Sequence, residues 1–409
     1  MKKILPIFLG VLSAIGGFVD MGDLVANASI GARFGMNLAW VVIVGIVGIC
    51  LFADMSGRVA AVTGRAVFDL IRERLGPRAA AVNLGASFFI NVLTLVAEIC
   101  GVAIALSLLS SVNYLLLVPA AAFLVWLVIW RLPFEWMEQI FGLLGLALIV
   151  FIVAVVKIGP DWGQLADAAL HPAVPSDETV WSYAYYAIAL FGAAMTPYEV
   201  FFFSSGAVEE HWTSRDLNIE RINVFVGFPL GGLLSLAIMT TAHLTLGPAG
   251  IDVEVLGQVP LPVALAVGKI GLAVALIGIF AATFGAALET SMSAGYTISQ
   301  YFGWQWGTFV RPRDAGRFHL VVLVSIFIGA LVGISGIDPV KITEYSIVLS
   351  AAALPLTYLP ILIIANDPDY MGDEVNGRVR NLLGSAFLVL LVVIAVATIP
   401  LMIVTRAGT

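Results

Sequence analysis

Long apolar runs recur from one end of this sequence to the other, and they restrict the chain to very few folds. A helix that crosses a bilayer needs about 20 predominantly apolar residues. Only 11% of the 409 residues are charged and 60% are hydrophobic, which leaves too little polar surface for a soluble protein of this length. We therefore predict an all-α polytopic membrane protein with one integral membrane domain, residues 1–409.

Eleven transmembrane spans are predicted, numbered here in chain order. They lie at 4–32, 36–56, 79–109, 113–130, 134–157, 179–208, 222–247, 261–301, 318–336, 341–365 and 379–404. Span 8 is longer than a bilayer requires, so it is expected to extend past the membrane or to bend. A short cytoplasmic helix is predicted after span 2, within 61–75.

The basic residues predict the orientation. With the N-terminus inside, cytoplasmic segments hold 15 of the 20 Lys and Arg residues. Because cytoplasmic segments of membrane proteins carry the excess of basic side chains, this split predicts a cytoplasmic N-terminus and an extracellular C-terminus. We expect an integral protein of a bacterial plasma membrane.

Other classes of protein find little support. Cys50 and Cys100 both lie in apolar runs, so they predict neither a disulfide framework nor a zinc site. The sequence lacks a nucleophile–histidine pairing, an H-E-x-x-H motif and a phosphate-binding glycine loop. We predict a protein that is not an enzyme, has no cofactor and binds no nucleic acid; its expected partners are a small ion and the lipid bilayer.

Two spans differ from the rest because each carries an acidic residue and helix breakers near its middle. Span 1 contains Asp20, and span 6 contains Thr196-Pro197 followed by Glu199. The second break follows the first by a shift of five spans, an odd number that reverses orientation, so spans 1–5 and 6–10 are candidates for inverted repeats. Paired interrupted helices in two such halves are the best sequence indicator of a transporter's substrate site.

The break in span 1 has the chemistry of a cation site. Asp20 and Asp23 are three residues apart, which places them on one face if the segment is helical. Gly22 lets the backbone leave helical geometry at little cost. An ionised side chain at the bilayer centre costs about 2.5–3.5 kcal/mol even on the mildest scale. Two acids this close are therefore expected to share a cation.

The break in span 6 would add oxygen ligands. Pro197 lacks a backbone N–H and so frees the carbonyl of Ala193, while Thr196 offers a hydroxyl and Glu199 a carboxylate. Freed carbonyls and half-helix ends are good cation ligands. A set of hard oxygen atoms suits Mg²⁺, Ca²⁺ or Mn²⁺ better than soft metals, and Mg²⁺ usually keeps several waters.

Alternatives remain open for several of these acids. Asp20 could instead pair with a base such as Lys269, and Glu199 could face a cytoplasmic vestibule without touching metal. Glu98 in span 3 and Glu289 in span 8 are further intramembrane acids. Each is a functional candidate, with a hydrogen bond between packed helices as the competing role.

The same segments resemble the NRAMP family of divalent metal transporters. That family carries Asp-Pro-Gly-Asn in span 1 and Met-Pro-His in span 6, and the corresponding stretches here are 17–35 and 191–206. Residues 62–76 are similar to the family's cytoplasmic helix, and 93–106 to its span 3. The resemblance covers most of the chain. It implies a LeuT-like fold and alternating access around a metal site at the midplane of the membrane.

Several family positions are altered in the two broken spans. The metal-binding Asp is kept as Asp20, its Asn becomes Asp23 and its Pro becomes Met21. The metal-binding Met falls on Thr196, although the adjacent Met195 leaves a shift of one residue open.

Changes elsewhere concern proton movement and the occluded site. The family's proton-linked His falls on Tyr198, and the Asp of its span 3 proton route falls on Leu95, while the following Glu is kept as Glu98. The span 10 Gln that joins the occluded site falls on Ser346, and the carbonyl ligand of span 6 falls on Ala193.

Taken together, the resemblance and its departures predict the site and its ion. The expected metal ligands are Asp20, Asp23, Ala193, Thr196 and Glu199. Residues expected beside the site or along the pathway are Gly22, Glu98, Pro197, Tyr198 and Ser346. Loss of the soft thioether and gain of a carboxylate favour Mg²⁺, and loss of titratable carriers predicts weak or no proton coupling.

We therefore expect a member of the NRAMP-related magnesium transporter branch, with Mn²⁺ also accepted as substrate. One alternative is a proton-coupled Mn²⁺/Fe²⁺ symporter in which Met195 supplies the soft ligand. Another is an amino-acid or amine transporter on the same fold. An amino-acid carboxylate needs a free half-helix N-terminus, and the negative charges of Asp20 and Asp23 crowd that place.

Overall fold

A computed structural model describes residues 10–408 of the chain, apart from Ser13, Gly16, Gly17 and Asp177. All regular elements among these residues are helices, as predicted. Spans 2 to 11 are confirmed as ten membrane-length apolar helices or helix pairs. They are Ala39–Thr63, Pro77–Ser110, Tyr114–Arg131, Phe134–Ile158, Val180–Glu209, Leu217–Thr245, Lys269–Phe302, Gly316–Gly333, Pro339–Ala365 and Arg378–Val404.

Span 1 is only partly described. Of its predicted range, 4–9 and three positions before Asp20 lie outside the described residues, while its second half is the helix Met21–Phe34. Short α-helices between spans include Val67–Leu75 before span 3, Trp162–Leu170 before span 6 and Pro368–Met371 before span 11.

The bend expected in span 8 is present near its start. The helix Leu261–Val267 ends at Gly268, and Lys269–Phe302 begins immediately after it. Gly268 has a φ of 85°, a left-handed value that glycine adopts without the penalty a Cβ would impose. The apolar stretch is therefore one short helix and one of 34 residues.

Helix packing follows the inverted repeat. Span 1 packs on span 7, and span 6 packs on span 2, which are equivalent contacts if spans 1–5 and 6–10 are related by a twofold axis in the membrane plane. Spans 3 and 8, which are equivalent in the two repeats, pack on each other at the centre. Small residues allow the closest approaches: a Cβ at Gly31 would lie 2.2 Å from the carbonyl oxygen of Met239.

The helix Val67–Leu75 closes one end of the bundle. Its prediction within 61–75 is confirmed, but it starts later because the chain turns at Gly64, where φ is 66°. The ring of Phe68 packs edge-on against Phe201 of span 6, with centroids 5.1 Å apart. We call this the basic end, because several arginines there form ion pairs or hydrogen bonds with neighbouring residues. They are Arg58, Arg65, Arg72, Arg74, Arg221 and Arg380.

At the opposite end of the bundle, Arg33 lies in the last turn of the second half of span 1. Its guanidinium pairs with Glu178, and it donates to the hydroxyl of Tyr186 at 2.9 Å and to the carbonyl of Gly408 at 3.4 Å. These contacts join the exit of span 1 to the start of span 6 and to the last residues of the chain.

Candidate functional site

Span 1 restarts as a helix immediately after Asp20. This residue is the N-cap of Met21–Phe34, with an extended backbone, and its Oδ1 accepts the backbone N–H of Asp23 at 2.7 Å. Aspartate is a favoured N-cap because its carboxylate satisfies an N–H that the first turn leaves open. The Asp20 side chain is 1% exposed, so a charged group lies inside the bundle at the start of a half-helix.

Span 6 breaks where Thr196-Pro197 predicts it. One helix ends at Ala194 and the next begins at Pro197, with Thr196 as its N-cap in an extended conformation. Because Pro197 has no N–H, the carbonyl of Ala193 lacks the donor that a continuous helix would supply four residues later. The carbonyl of Met195 accepts the hydroxyl of Tyr358 in span 10 at 3.3 Å.

The two breaks meet through one hydrogen bond. The hydroxyl of Tyr198, in the first turn after Pro197, donates to Oδ2 of Asp20 at 3.0 Å, and both residues are buried. Asp20 and Glu199 are also close enough for their charges to interact. The broken halves of spans 1 and 6, predicted to converge, therefore lie together.

Span 10 packs against both broken helices at one point. A Cβ at Gly192 would lie 2.2 Å from the carbonyl oxygen of Ile347, and a Cβ at Gly22 would lie 2.7 Å from the Ile347 side chain. The neighbouring Ser346 shares a hydrogen bond of 2.8 Å with Thr94 of span 3. Ser346 therefore links spans 3 and 10 next to Ile347, and its part in the occluded site stays a prediction.

Glu98 of span 3 caps the half-helix of span 1. Its Oε1 and Oε2 accept the backbone N–H of Met21 at 3.1 and 3.3 Å, and the side chain is fully buried. With Asp20 on the N–H of Asp23, two carboxylates occupy the positive end of this half-helix.

Asp23 points in another direction. Its Oδ1 accepts the Asn27 side chain at 2.8 Å, and its Oδ2 accepts the Ser235 hydroxyl of span 7 at 2.5 Å. One oxygen atom is thus bonded within the helix of span 1 and the other to span 7. As a metal ligand Asp23 stays a prediction, and ligation would require it to share or exchange these bonds.

Glu199 is buried, with 4% of its surface exposed, and lines a cavity that extends towards the basic end. Its Oε2 has no hydrogen-bond partner among the described residues. The cavity is also lined by Glu289 of span 8. Glu199 thus lines this cavity close to the break in span 6, and as a metal ligand it stays a prediction.

The thioether of Met195 packs against spans 2 and 11. A Cβ at Gly48 would lie 2.5 Å from its sulfur and 2.8 Å from the Phe387 ring. The sulfur of Met21 lies against Gly101 of span 3, and a Cβ added to Gly101 would lie 2.6 Å from this sulfur. Each sulfur atom is thus packed against a small residue of a neighbouring helix.

Four acidic side chains, Asp20, Asp23, Glu98 and Glu199, lie buried at or near the two breaks. Within the described part of the chain, ion pairs of 4.0 Å or less do not include Asp20, Asp23, Glu98 or Glu199. The pairing of Asp20 with Lys269 that the sequence left open is therefore not observed.

No three Asp, Glu, His or Cys side chains of the described residues are grouped closely enough to hold an ion by themselves. An ion at Asp20 would therefore complete its shell with carbonyl, hydroxyl and water oxygens, which is how Mg²⁺ is commonly held.

Sequence reasoning missed several hydrogen-bonding residues around the centre. Besides Thr94, Asn27, Ser235 and Tyr358, Ser293 of span 8 donates to the carbonyl of Tyr198 at 3.4 Å. The available signal was that they are hydrogen-bonding residues in otherwise apolar spans, where such groups are expected to find partners.

Comparisons with known proteins place these features in context. A family model described as natural resistance-associated macrophage protein-like (Nramp) matches residues 10–400. A crystal structure of an Eremococcus coleocola manganese transporter, in complex with an aromatic bis-isothiourea substituted compound, is similar with a TM-score of 0.70 and 19% identity. The match covers 96% of this chain and 86% of that one.

Two other solved structures share the architecture. A nucleobase-cation-symport-1 family transporter in a closed conformation has a TM-score of 0.62 at 15% identity, covering 97% of this chain and 91% of that one. A Na⁺-coupled sialic acid symporter in an outward-open state has a TM-score of 0.63 at 13% identity, covering 98% and 90%. The LeuT-like fold expected for the chain is therefore confirmed.

Proposed function

The chain belongs to the Nramp family of transporters, and on that premise we propose that it carries a divalent metal cation, primarily Mg²⁺, across the membrane by alternating access. Mn²⁺ is the second accepted ion, and proton coupling is weak or absent. The proposed ligands are Asp20, the carbonyl of Ala193 and the hydroxyl of Thr196, with waters completing the shell.

The observation that carries the choice of ion is the position of the two sulfur atoms nearest the breaks. Met195 packs on Gly48, and Met21 packs on Gly101, so the groups left around Asp20 are oxygen donors. Hard oxygen sites favour Mg²⁺, which retains waters, whereas a thioether would favour softer transition metals.

The weak proton coupling is supported by the partner of Asp20. Tyr198 occupies the position where the family resemblance places a histidine, and it donates to Oδ2 of Asp20 at 3.0 Å. A tyrosine hydroxyl, with an ordinary pKa of about 10, does not exchange its proton readily near neutral pH. Leu95, in the place of the span 3 aspartate, cannot titrate at all.

Uptake into proteoliposomes tests the proposal directly. Purified protein is reconstituted with an internal Mg²⁺ indicator and, in parallel, an internal pH indicator, and Mg²⁺ or Mn²⁺ is added outside. We expect uptake of both ions without acidification of the lumen, and no uptake with Asp20→Ala. Mn²⁺ uptake accompanied by proton influx, with Mg²⁺ excluded, would overturn the proposal.

A proton-coupled Mn²⁺/Fe²⁺ symporter is the second candidate, because a similar structure is that of a manganese transporter. That function would need Met195 to turn away from Gly48 and supply its sulfur to the ion. Replacing Met195 and Thr196 one at a time by alanine distinguishes the two functions. Only the variant that removes a metal ligand should change the preference between Mg²⁺ and Mn²⁺.

An amino-acid transporter receives less support. Its substrate carboxylate would need free N–H groups at a half-helix N-terminus. In the second half of span 1, Asp20 occupies the N–H of Asp23 and Glu98 occupies the N–H of Met21. An anionic group there would also meet two carboxylates.

The proposed location is the bacterial plasma membrane, with the basic end in the cytoplasm, because cytoplasmic segments hold most of the Arg and Lys residues. Single cysteines at Gly250 and Gly372, in loops near opposite ends, would test this orientation. A membrane-impermeant thiol reagent added to intact cells should label the first variant and spare the second.

A further inference from the structure

A small cavity lies among spans 1, 5, 6, 7 and 8, beside the centre and on the side of the basic end. Glu199 and Glu289 both line it, and its wall includes Phe202, Phe203 and Trp212. Its volume is about 30 Å³, larger than the ~10–15 Å³ that one water needs. It therefore has room for water or for a partly dehydrated ion.

The carboxylate of Glu199 provides an independent indication that this cavity receives a ligand. The residue is 4% exposed, and its Oε2 has no hydrogen-bond partner within the described part of the chain. A buried charged oxygen without a partner is costly, and a cation is the ligand that offsets this cost most directly.

The cavity also lies next to the proposed metal centre in sequence and in space. Glu199 follows Tyr198, whose hydroxyl binds Asp20, and the charges of Asp20 and Glu199 interact. An ion leaving Asp20 towards the basic end would therefore pass the side of Tyr198 and meet Glu199.

We propose that Glu199 and Glu289 form a second cation site, a relay that holds a partly dehydrated divalent cation between the Asp20 centre and the basic end. This proposal rests on the proposed function, and it removes Glu199 from the ligands of the central ion. The two carboxylates replace part of the hydration that the ion sheds on entering the cavity. The central site sets affinity, and the relay sets the rate of passage.

The test compares Glu199→Gln and Glu289→Gln with the wild-type protein. Glutamine keeps the size of the side chain and removes its charge. Equilibrium Mn²⁺ binding is followed in detergent by the electron paramagnetic resonance of the free ion, and Mg²⁺ uptake is followed in proteoliposomes. We expect each variant to retain the higher-affinity Mn²⁺ site, lose a weaker one and transport Mg²⁺ about 10-fold to 100-fold more slowly.

Glu344→Gln is the matched control, a half-buried glutamate of span 10 that lies outside this cavity; it should bind and transport as the wild type does. Size-exclusion profiles exclude misfolding as the cause of a slow rate. Wild-type rates in both relay variants, or loss of the higher-affinity Mn²⁺ site, would overturn the relay.

A change in proton flux with both Mn²⁺ sites intact would also overturn the relay, because the carboxylates would then carry protons. The proposed function fails by a different result: no divalent cation uptake by the wild-type protein, or Mn²⁺ binding that is unaffected by Asp20→Ala.

Discussion

The hydroxyl of Tyr198 donates to Oδ2 of Asp20 across 3.0 Å, and this bond joins the broken halves of spans 1 and 6. Both helices must move relative to each other if the centre opens alternately to the two sides of the membrane. The bond can therefore both orient the Asp20 carboxylate for an ion and help to hold one state of the cycle.

Removing this hydroxyl should lower the apparent affinity for Mg²⁺ without changing proton movement. For Tyr198→Phe we expect the Mg²⁺ concentration at half-maximal uptake to rise by about 10-fold, because groups that orient a metal ligand commonly affect affinity to this extent. Uptake assays with Mg²⁺ and pH indicators measure both quantities. Unchanged uptake kinetics would show that Asp20 does not need this partner.

Selectivity should depend on Thr196 and not on Met195. Thr196→Met is expected to shift the preference from Mg²⁺ towards Mn²⁺, because it places a soft sulfur beside Asp20. Met195→Ala should keep the wild-type preference but lower the free energy of unfolding by about 2–5 kcal/mol, since it leaves a cavity beside Gly48 and Phe387. Competition uptake and thermal denaturation report the two effects, and the reverse pattern would reassign the ligand.

The contact between spans 1 and 7 should not tolerate a methyl group. A Cβ at Gly31 would lie 2.2 Å from the carbonyl oxygen of Met239, so we expect Gly31→Ala to destabilise the protein by about 1–3 kcal/mol. Gly85→Ala is the control: no atom lies within 4 Å of its added Cβ, and alanine improves an exposed helix by about 0.5–1 kcal/mol. Equal unfolding temperatures for the two variants would contradict this packing.

A buried aspartate at the basic end should contribute strongly to stability. Asp54 is 1% exposed and lies 3.8 Å from Arg58, 3.9 Å from Arg221 and 3.3 Å from Arg380, which connects spans 2, 7 and 11. Asp54→Asn leaves buried Arg58 without this counter-charge, so a loss of about 3–5 kcal/mol is expected. Asp373 is exposed, so Asp373→Asn serves as the control in the same denaturation assay. Similar denaturation curves for the two variants would argue against a stabilising role for the Asp54 ion pairs.

The helix Val67–Leu75 should show a pH-dependent effect. Burial raises the pKa of Asp69 from 3.8 to about 6, an increase that Arg65 and Arg72 reduce. Because the pKa is higher in the folded state, ionisation of Asp69 opposes folding fully above pH 6, and this opposition fades as the pH falls towards 3.8. Asp69→Asn should therefore raise the unfolding temperature more at pH 7.5 than at pH 4.5.

Glu73 provides the opposite case for the same measurement. It is exposed, and its hydrogen bond with Arg65 lowers its pKa. Glu73→Gln should therefore lower the unfolding temperature slightly at pH 7.5, with a smaller effect in acid. If Asp69→Asn raised the unfolding temperature more at pH 4.5 than at pH 7.5, the assignment of a raised pKa to Asp69 would be contradicted.

The spans and their two breaks could be predicted because their causes are local. A bilayer sets the length of each apolar run, and Pro197 removes a backbone donor in any helix that contains it. The break predicted near Asp20 and Gly22 likewise has a local cause, and the helix restarts at Met21.

The direction of Asp23 could not be predicted in this way. Its three-residue spacing from Asp20 places both on one face only if both are helical, but Asp20 is an N-cap with an extended backbone. Asp23 therefore turns to Ser235 of span 7, a residue 212 positions away in sequence.

The sequence by itself determined a polytopic helical membrane protein, the two interrupted spans and an acidic, oxygen-rich centre, because these follow from hydrophobic length and from the chemistry of single residues. Only the tertiary structure decided that Tyr198 binds Asp20, that Met195 packs against spans 2 and 11, and that Glu199 shares a cavity with Glu289. These outcomes depend on the rotation and depth of each helix against its neighbours. Contacts between distant segments set both, and one-dimensional spacing does not specify them.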